Sequence, residues 1–271
     1  MAGEIPKNAN GEPVEVPPGH VRLRMTVAYD GTNYCGWQWQ DGQMTVQQRI
    51  EEALARLFRH ASRVSGSSRT DTGVHAVGMV AHFDLPEDDW RMEPRKLVLA
   101  LNAHLPNDVR VLGAVKAKST FHSRFSARGK QYRYLVWNHP AHHPLLLTHS
   151  WHVPWDLDLD RMRQAARSLL GRHDFLALSA SPGYERQHTM RNLSRCEIRR
   201  SGSLLTFIIE ADGFLYRMCR GIVGTLVQVG NGKIPTTELT PLLASRDRCL
   251  TGMTAPAQGL VLQKVYYPPR A

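Results

Sequence analysis

The run Ser67-Ser68-Arg69-Thr70-Asp71-Thr72-Gly73-Val74-His75-Ala76 puts an arginine, an aspartate, a glycine and a histidine within a few residues of one another. Directly after it, Gly78-Met79-Val80-Ala81-His82-Phe83-Asp84 reads as a buried strand, and a helix and a short extended piece over 63–66 precede it. A polar, glycine-containing loop between hydrophobic elements suits a carboxylate that must meet a ligand, because the loop exposes its side chains while its flanks hold it still. The bland alternative is that Asp71 only caps the turn into Gly73. His75 and His82 read as hydrogen-bonding core histidines, since nothing completes a metal set around them. His139, His142 and His143 form an HxxHH run, but Pro140 and Pro144 break helical geometry there and predict a solvated loop. Arg217 and Arg220, three apart on a predicted helix, fall on neighbouring parts of its surface. They are either a solvated basic edge, or one of them neutralises Asp71 or a phosphate. Gly230-Asn231-Gly232-Lys233 lacks Walker spacing and follows a helix, so it reads as a C-terminal stop.

These residues need a body to hold them. The chain has 271 residues and is 42% hydrophobic, enough for one large or two modest domains with a sizeable core. Its formal net charge is +10. The first 20 residues carry Lys7 against Glu4, Glu12 and Glu15, so the excess of positive charge resides in the remainder. A folded body this basic favours a polyanion, with nucleic acid foremost; plain solubility is the other reading. No run of about 18 apolar residues suggests a membrane span, and the N-terminus lacks the layout of a signal peptide. Cys35, Cys196, Cys219 and Cys249 are scattered without CxxC spacing, which argues against a zinc cage or redox dithiol and for reduced thiols in the cytoplasm.

Residues 1–20, with four prolines, read as a disordered tail. Residues 21–30 alternate apolar and polar, predicting a strand with one buried face. After the turn Asp30-Gly31-Thr32-Asn33 comes an aromatic, amide-rich loop, Tyr34-Cys35-Gly36-Trp37-Gln38-Trp39-Gln40. A helix follows, with Thr45 and Gln48 spaced as a capping box and Val46, Ile50, Leu54, Leu57 and Phe58 on one stripe. A second helix opens near Pro94, and residues 108–118 form another strand. The second half starts with a strand over 127–138 whose one face carries Lys130, Tyr132 and Tyr134. It continues with a helix over 158–170, a polar loop over 179–192, a hairpin about Gly202, a long helix over 214–229, a shorter one over 237–244 and a last strand over 259–267. The fold class is α+β. The element order of each half suits a ferredoxin-like (RRM-like) α/β subdomain with a mainly antiparallel sheet, and two such subdomains, 21–118 and 119–271, would leave a cleft between them.

Taken in order, several motifs resemble the TruA-type tRNA pseudouridine synthases. They are Tyr29-Asp30-Gly31-Thr32, Gly36-Trp37-Gln38, Thr45-Val46-Gln47, Arg69-Thr70-Asp71-Thr72-Gly73-Val74-His75-Ala76, Leu101-Asn102, His104-Leu105-Pro106, Phe125-Ser126-Ala127, Lys130-Gln131-Tyr132-Arg133-Tyr134, Phe214-Leu215-Tyr216-Arg217-Met218-Cys219-Arg220 and Ala255-Pro256-Ala257-Gln258-Gly259-Leu260. The chain departs from the family pattern at Ser67-Ser68, Tyr216-Arg217 and Gly221. The resemblance implies an isomerase that converts uridine to pseudouridine in the anticodon stem-loop of tRNA, at tRNA positions 38 to 40. It implies a homodimer, with no cofactor and no essential metal. The catalytic aspartate falls on Asp71, the base-stacking tyrosine on Tyr132, the arginine ahead of the aspartate on Arg69, and the arginine that pairs with the aspartate on Arg220.

The chemistry fits those residue types. An N-glycosidic bond must break, the uracil must turn, and a C–C glycosidic bond must form. A carboxylate can add to C1′, balance an oxocarbenium-like centre or take the C2′ proton, a demand shared with glycoside hydrolysis. A buried anion keeps its charge only beside a cation, the part Arg220 would play. An aromatic ring can retain the loose base by stacking. A base inside a stem must first be flipped out. Two other readings compete with the isomerase: a non-catalytic RNA-binding or tRNA-folding protein, and a nucleoside hydrolase that uses a lone carboxylate.

Overall fold

The computed structural model describes residues 15–181 and 188–269. Of the tail expected over 1–20, residues 1–14 lie outside the described residues, as do Pro182, Gly183 and Arg186 of the expected polar loop. Residues 15–20 are not loose. The Val16 N–H donates to the Ser119 carbonyl at 3.2 Å, and the first strand opens at His20.

In chain order the elements are β1 (His20–Tyr29), α1 (Val46–Leu57), β2 (Ser65–Gly66), β3 (His75–Pro86), α2 (Pro94–His104), β4 (Val109–Lys116), β5 (Gly129–Asn138), β6 (Trp151–Val153), α3 (Leu159–Ser168), β7 (Gly171–Asp174), β8 (Met190–Ser201), β9 (Leu204–Ala211), α4 (Met218–Gly230), α5 (Leu239–Ser245) and β10 (Leu260–Tyr266). The architecture is α+β, with largely antiparallel strand pairing, as the element order predicts. Two compact units result. One runs to Arg128 and resumes at Leu262, and the other spans Gly129–Val261. β6 and β7 have no counterpart in the sequence reading, because three or four residues are too few for alternation to register.

In the first unit β1 lies between β4 and β3, antiparallel to both, and β10 follows β3. Val21, Leu23, Met25 and Val27 are at most 1% exposed and sit opposite Leu85, Phe83, Ala81 and Met79 of β3. Ile50 and Leu54 of α1 and Leu97 and Leu101 of α2 complete this core. Each such side chain contributes about 1.5–3 kcal/mol by leaving water. Thr45 caps α1 by accepting from the Gln48 N–H at 3.3 Å. Only half of the expected capping box forms, since the Gln48 amide reaches forward to Glu52 instead.

The other face of β1 corrects the expectation of one buried face. Arg22 is 4% exposed. Its Nε and Nη2 each donate to an Asp84 carboxylate oxygen at 2.7 Å, and Nη1 donates to the Phe121 carbonyl. Residues 117–123 thus cover the face that alternation assigns to solvent, and the ion pair they bury is satisfied on both sides.

In the second unit β9 lies between β5 and β8, antiparallel to both; β7 pairs with β8, and the short β6 runs parallel to β5. The hairpin about Gly202 forms as predicted, with Ser201 opposite Leu204 and Gly202 at φ +58°. Tyr134, Val136, Phe207 and Ile209 are fully buried with Met162 of α3 and Ile222, Val223 and Leu226 of α4. The helix expected from residue 214 starts later, at Met218. Residues 214–217 turn instead, with the Met218 N–H on the Leu215 carbonyl and Arg217 in the left-handed region at φ +57°. α4 ends where glycine and asparagine predict, with Asn231 as its cap and Gly232 at φ +78°.

Candidate active site

The loop over 67–74 is shorter than the sequence suggests, because His75 and Ala76 already belong to β3. Its entry is fixed: Ser67 is fully buried and its N–H donates to the Val80 carbonyl at 2.8 Å. Its exit is a tight turn in which the Val74 N–H donates to the Asp71 carbonyl at 3.1 Å and Gly73 supplies φ +75°. Between them Thr70 is buried, Asp71 half-buried, and Arg69 and Thr72 exposed.

The segment over 29–37 moulds that loop from one side. The Tyr29 hydroxyl and the Thr70 Oγ1 are 2.8 Å apart. The Trp37 N–H donates to the Thr70 carbonyl, and the Gly73 N–H donates to the Tyr34 carbonyl. Gly36 has φ +84°, and a Cβ there would collide with the Thr70 carbonyl; a Cβ on Gly31 would strike the Val74 carbonyl. The motifs Tyr29-Asp30-Gly31-Thr32 and Gly36-Trp37-Gln38 thus have a physical task. They let one backbone lie directly against another, so that the chain around Asp71 has almost no freedom. His75 serves the same end, its Nδ1 accepting from the Gly31 N–H at 3.0 Å. His82 is a core histidine, as expected: its Nδ1 lies 3.0 Å from the Ser123 Oγ, and burial depresses its pKa to about 3.

Tyr132 and Arg220 belong to the second unit. Tyr132 is 7% exposed and meets Phe214 edge to face, with ring centroids 5.0 Å apart. Arg220 is held by the Ala255 backbone at both ends: its Nε donates to the Ala255 carbonyl at 2.7 Å, and its own carbonyl accepts from the Ala255 N–H. One residue on, the Tyr134 hydroxyl donates to the Pro256 carbonyl at 2.7 Å, and Gly259 packs against the Tyr134 ring. The run Ala255-Pro256-Ala257-Gln258-Gly259 is therefore the brace for Arg220 and Tyr134. Burial raises the Tyr134 pKa, opposed by the nearby Arg220 charge. Arg217 is not on the helix with Arg220. It stands at the N-cap of α4, exposed, with its guanidinium 4.8 Å from the Tyr216 ring centroid.

Asp71 and Arg69 thus share one held loop, and Tyr132 and Arg220 share one braced region of the second unit. Sequence reasoning missed Tyr29 and Thr70 as a hydrogen-bonded pair. Each partner stands in a motif of its own, Tyr29 before Asp30 and Thr70 before Asp71, but nothing in the chain links the two. The HxxHH run lies on a loop that leads into a 3₁₀ turn at Pro144–Leu146, with His143 as its cap, His139 exposed and the His142 ring stacked on His152 at 4.5 Å.

Comparison with known proteins gives this arrangement a lineage. A family profile described as tRNA pseudouridine synthase matches residues 25–126 and 165–268. The chain belongs to the tRNA pseudouridine synthase family. Among its relatives, the tRNA pseudouridine synthase A of Methylacidiphilum infernorum is 42% identical over 249 residues, which are 92% of this chain and 96% of that protein. The protein of the same name from Syntrophotalea carbinolica is 44% identical over 248 residues, 92% and 97% of the two chains. The one from Myxococcus xanthus is 43% identical over 248 residues, 91% and 92%. As a tRNA pseudouridine synthase family member, the chain carries Arg69, Asp71 and Arg220 inside the matched stretches, and Tyr132 between them. Among the described residues no helix is long and apolar enough to cross a membrane.

Proposed function

We propose that the protein isomerises uridine to pseudouridine in tRNA, acting on the anticodon stem-loop at tRNA positions 38 to 40, as a cytoplasmic homodimer. Asp71 is the catalytic carboxylate. It works at the ribose of the target nucleotide, as nucleophile at C1′ or as base toward C2′. Tyr132 stacks on the uracil and keeps it in place while it turns. Arg220 supplies the positive charge that keeps a desolvated carboxylate ionised. Arg69, exposed beside Asp71, grips the RNA next to the flipped nucleotide. The observation that carries this reading is the held loop of a family member: a half-buried aspartate fixed by backbone contacts on both sides, with an exposed arginine two residues before it.

The test is to incubate the purified protein with unmodified tRNA transcripts and map pseudouridine at single-nucleotide resolution. Wild type should modify the stem-loop without change of RNA mass. Asp71→Asn should lose at least ~1000-fold in turnover while binding tRNA nearly as well. Turnover retained by Asp71→Asn would remove the carboxylate from the mechanism. Release of free uracil would convert the reading to a hydrolase, and binding without any altered uridine would leave only a binding protein. Tyr132→Phe should stay active, because the ring stacks, whereas Tyr132→Leu should be severely impaired.

A further inference from the structure

Besides the loop that carries Asp71, the described residues of the first unit expose two aromatic rings, Phe125 and Trp39, and only the second is built onto the segments that hold that loop. Trp39 is 38% exposed. The guanidinium of Arg63 lies over its indole, 4.8 Å from the ring centroid, and the Arg63 side chain is itself 66% exposed. The two come from separate arms of chain, one on either side of α1, and α1 fixes both. The Gln47 Oε1 accepts from the Trp39 N–H at 2.9 Å, and the Gln47 Nε2 donates to the Glu51 Oε1 at 2.8 Å. That same Glu51 oxygen accepts from the Val64 N–H at 2.9 Å, while its other oxygen lies 3.7 Å from the Arg63 Nε. Gln47 is 4% exposed and the Glu51 side chain 21%, so the brace lies largely beneath the paired side chains.

The pair is tied to the catalytic loop at both ends. Two residues before Trp39, Trp37 is buried with its ring against Gly66 and its N–H on the Thr70 carbonyl. Two residues after Arg63, β2 begins and leads into Ser67 and Asp71. An exposed indole with a guanidinium already in place is well made for one class of ligand. A nucleobase stacks on either flat surface, and the guanidinium charge meets the phosphate that accompanies the base.

We propose that Trp39 and Arg63 form a second nucleotide-binding platform, which takes an unpaired base of the tRNA substrate other than the uridine being isomerised. The platform registers the RNA on the first unit at a fixed distance from Asp71. It rests on the pseudouridine-forming reading above. Its energy is spent equally on bound substrate and transition state, so its signature lies in KM and not in kcat.

The experiment is steady-state kinetics on a synthetic anticodon stem-loop, with thermal melting of each variant. Trp39→Ala should raise KM roughly 5- to 100-fold with kcat retained, the range expected for one stacked base. Trp39→Phe, which keeps a flat ring, should recover most of that loss. Arg63→Ala should lower the slope of log KM against log salt by about 0.7, the share of one phosphate contact on single-stranded RNA. In a scan of abasic substitutions, one unpaired position should weaken wild type by the same factor as Trp39→Ala and leave Trp39→Ala itself unaffected. A Trp39→Ala protein with wild-type KM overturns the platform. So does a variant that loses kcat while KM stands, since that would make Trp39 a prop for Trp37 and the loop. A wild-type protein inactive on every tRNA would sink the functional reading instead, and is told apart by the wild-type control.

Discussion

One oxygen distinguishes Tyr29 from a phenylalanine, and it ends within 2.8 Å of the hydroxyl of Thr70, the residue before Asp71. Both residues are buried, so Tyr29→Phe takes a buried hydrogen bond from the Thr70 hydroxyl, at a cost of about 1–3 kcal/mol. With Asp71 in the role proposed for it, much of that cost should appear in chemistry, because displacing such a group by even ~1 Å slows reactions by up to about 100-fold. Tyr29→Phe is expected to lower kcat about tenfold or more with little change in KM. Thr70→Ser should largely preserve kcat, and Thr70→Val in the Tyr29→Phe background should add little further loss. Equal, additive losses in the two single variants would show that the hydroxyls act separately. At this scale the sequence was legible where chemistry announces itself by type. Asp71 stands out among polar neighbours, and Arg220 through a motif. The Tyr29–Thr70 pair was not legible, since its partners lie on different elements and Tyr29 simply continues an alternating strand.

The element that matters most to Asp71 is not the one that bears it but the segment pressed against it. Gly36 combines φ +84° with a backbone contact that leaves no room for a methyl group. Gly36→Ala should therefore destabilise the protein by roughly 2–4 kcal/mol and reduce activity at temperatures where the variant is still folded. Urea denaturation with assays at low temperature would separate the two effects; a fully active, equally stable variant would contradict the moulding role. Helices read well from the chain because periodicity and caps are local: Thr45 caps α1 where expected, and Gly232 closes α4. The start of α4 did not. Its pattern of apolar residues extends back to Phe214, but Phe214 packs on Tyr132 and the chain must turn at Arg217 to place it there. A tertiary contact overrode a local preference. Gly221 and Gly224 then let α4 approach the carbonyls of Leu178 and Met253, the close backbone approach that two glycines in a helical pattern permit at some cost in helix propensity.

For the molecule as a whole, acid is the informative variable. Burial depresses the pKa of His82 to about 3 and, with Arg22 and Arg124 nearby, that of His122 to about 4, against 6.5 for the unfolded chain. Between those values the unfolded state binds protons that the folded state refuses, so unfolding becomes more favourable as pH falls. Stability attributable to these two groups is complete above pH 6.5 and is lost progressively toward pH 4 and 3. Urea midpoints measured from pH 7.5 to 4 should fall accordingly, and His82→Gln should flatten the curve; an unchanged slope would mean that His82 is charged in the fold. Composition had already indicated a basic body that favours a polyanion, and element order indicated two α+β units. What neither could convey was that residues 117–123 close over Arg22, or that the sheet beside Asp71 takes a strand from the far end of the sequence. Such pairings depend on contacts between distant residues, which periodicity does not encode.

That borrowed strand has a consequence for how the protein is made. Translation delivers Asp71 early, but Leu262 and its neighbours, and Tyr267 whose hydroxyl anchors on the Ser123 carbonyl, appear only after all of the second unit has been synthesised. The half that bears Asp71 cannot finish folding on the ribosome ahead of the other half. Prematurely terminated chains lack the piece that seals it, so an incomplete product is left with an open sheet margin for quality control to recognise.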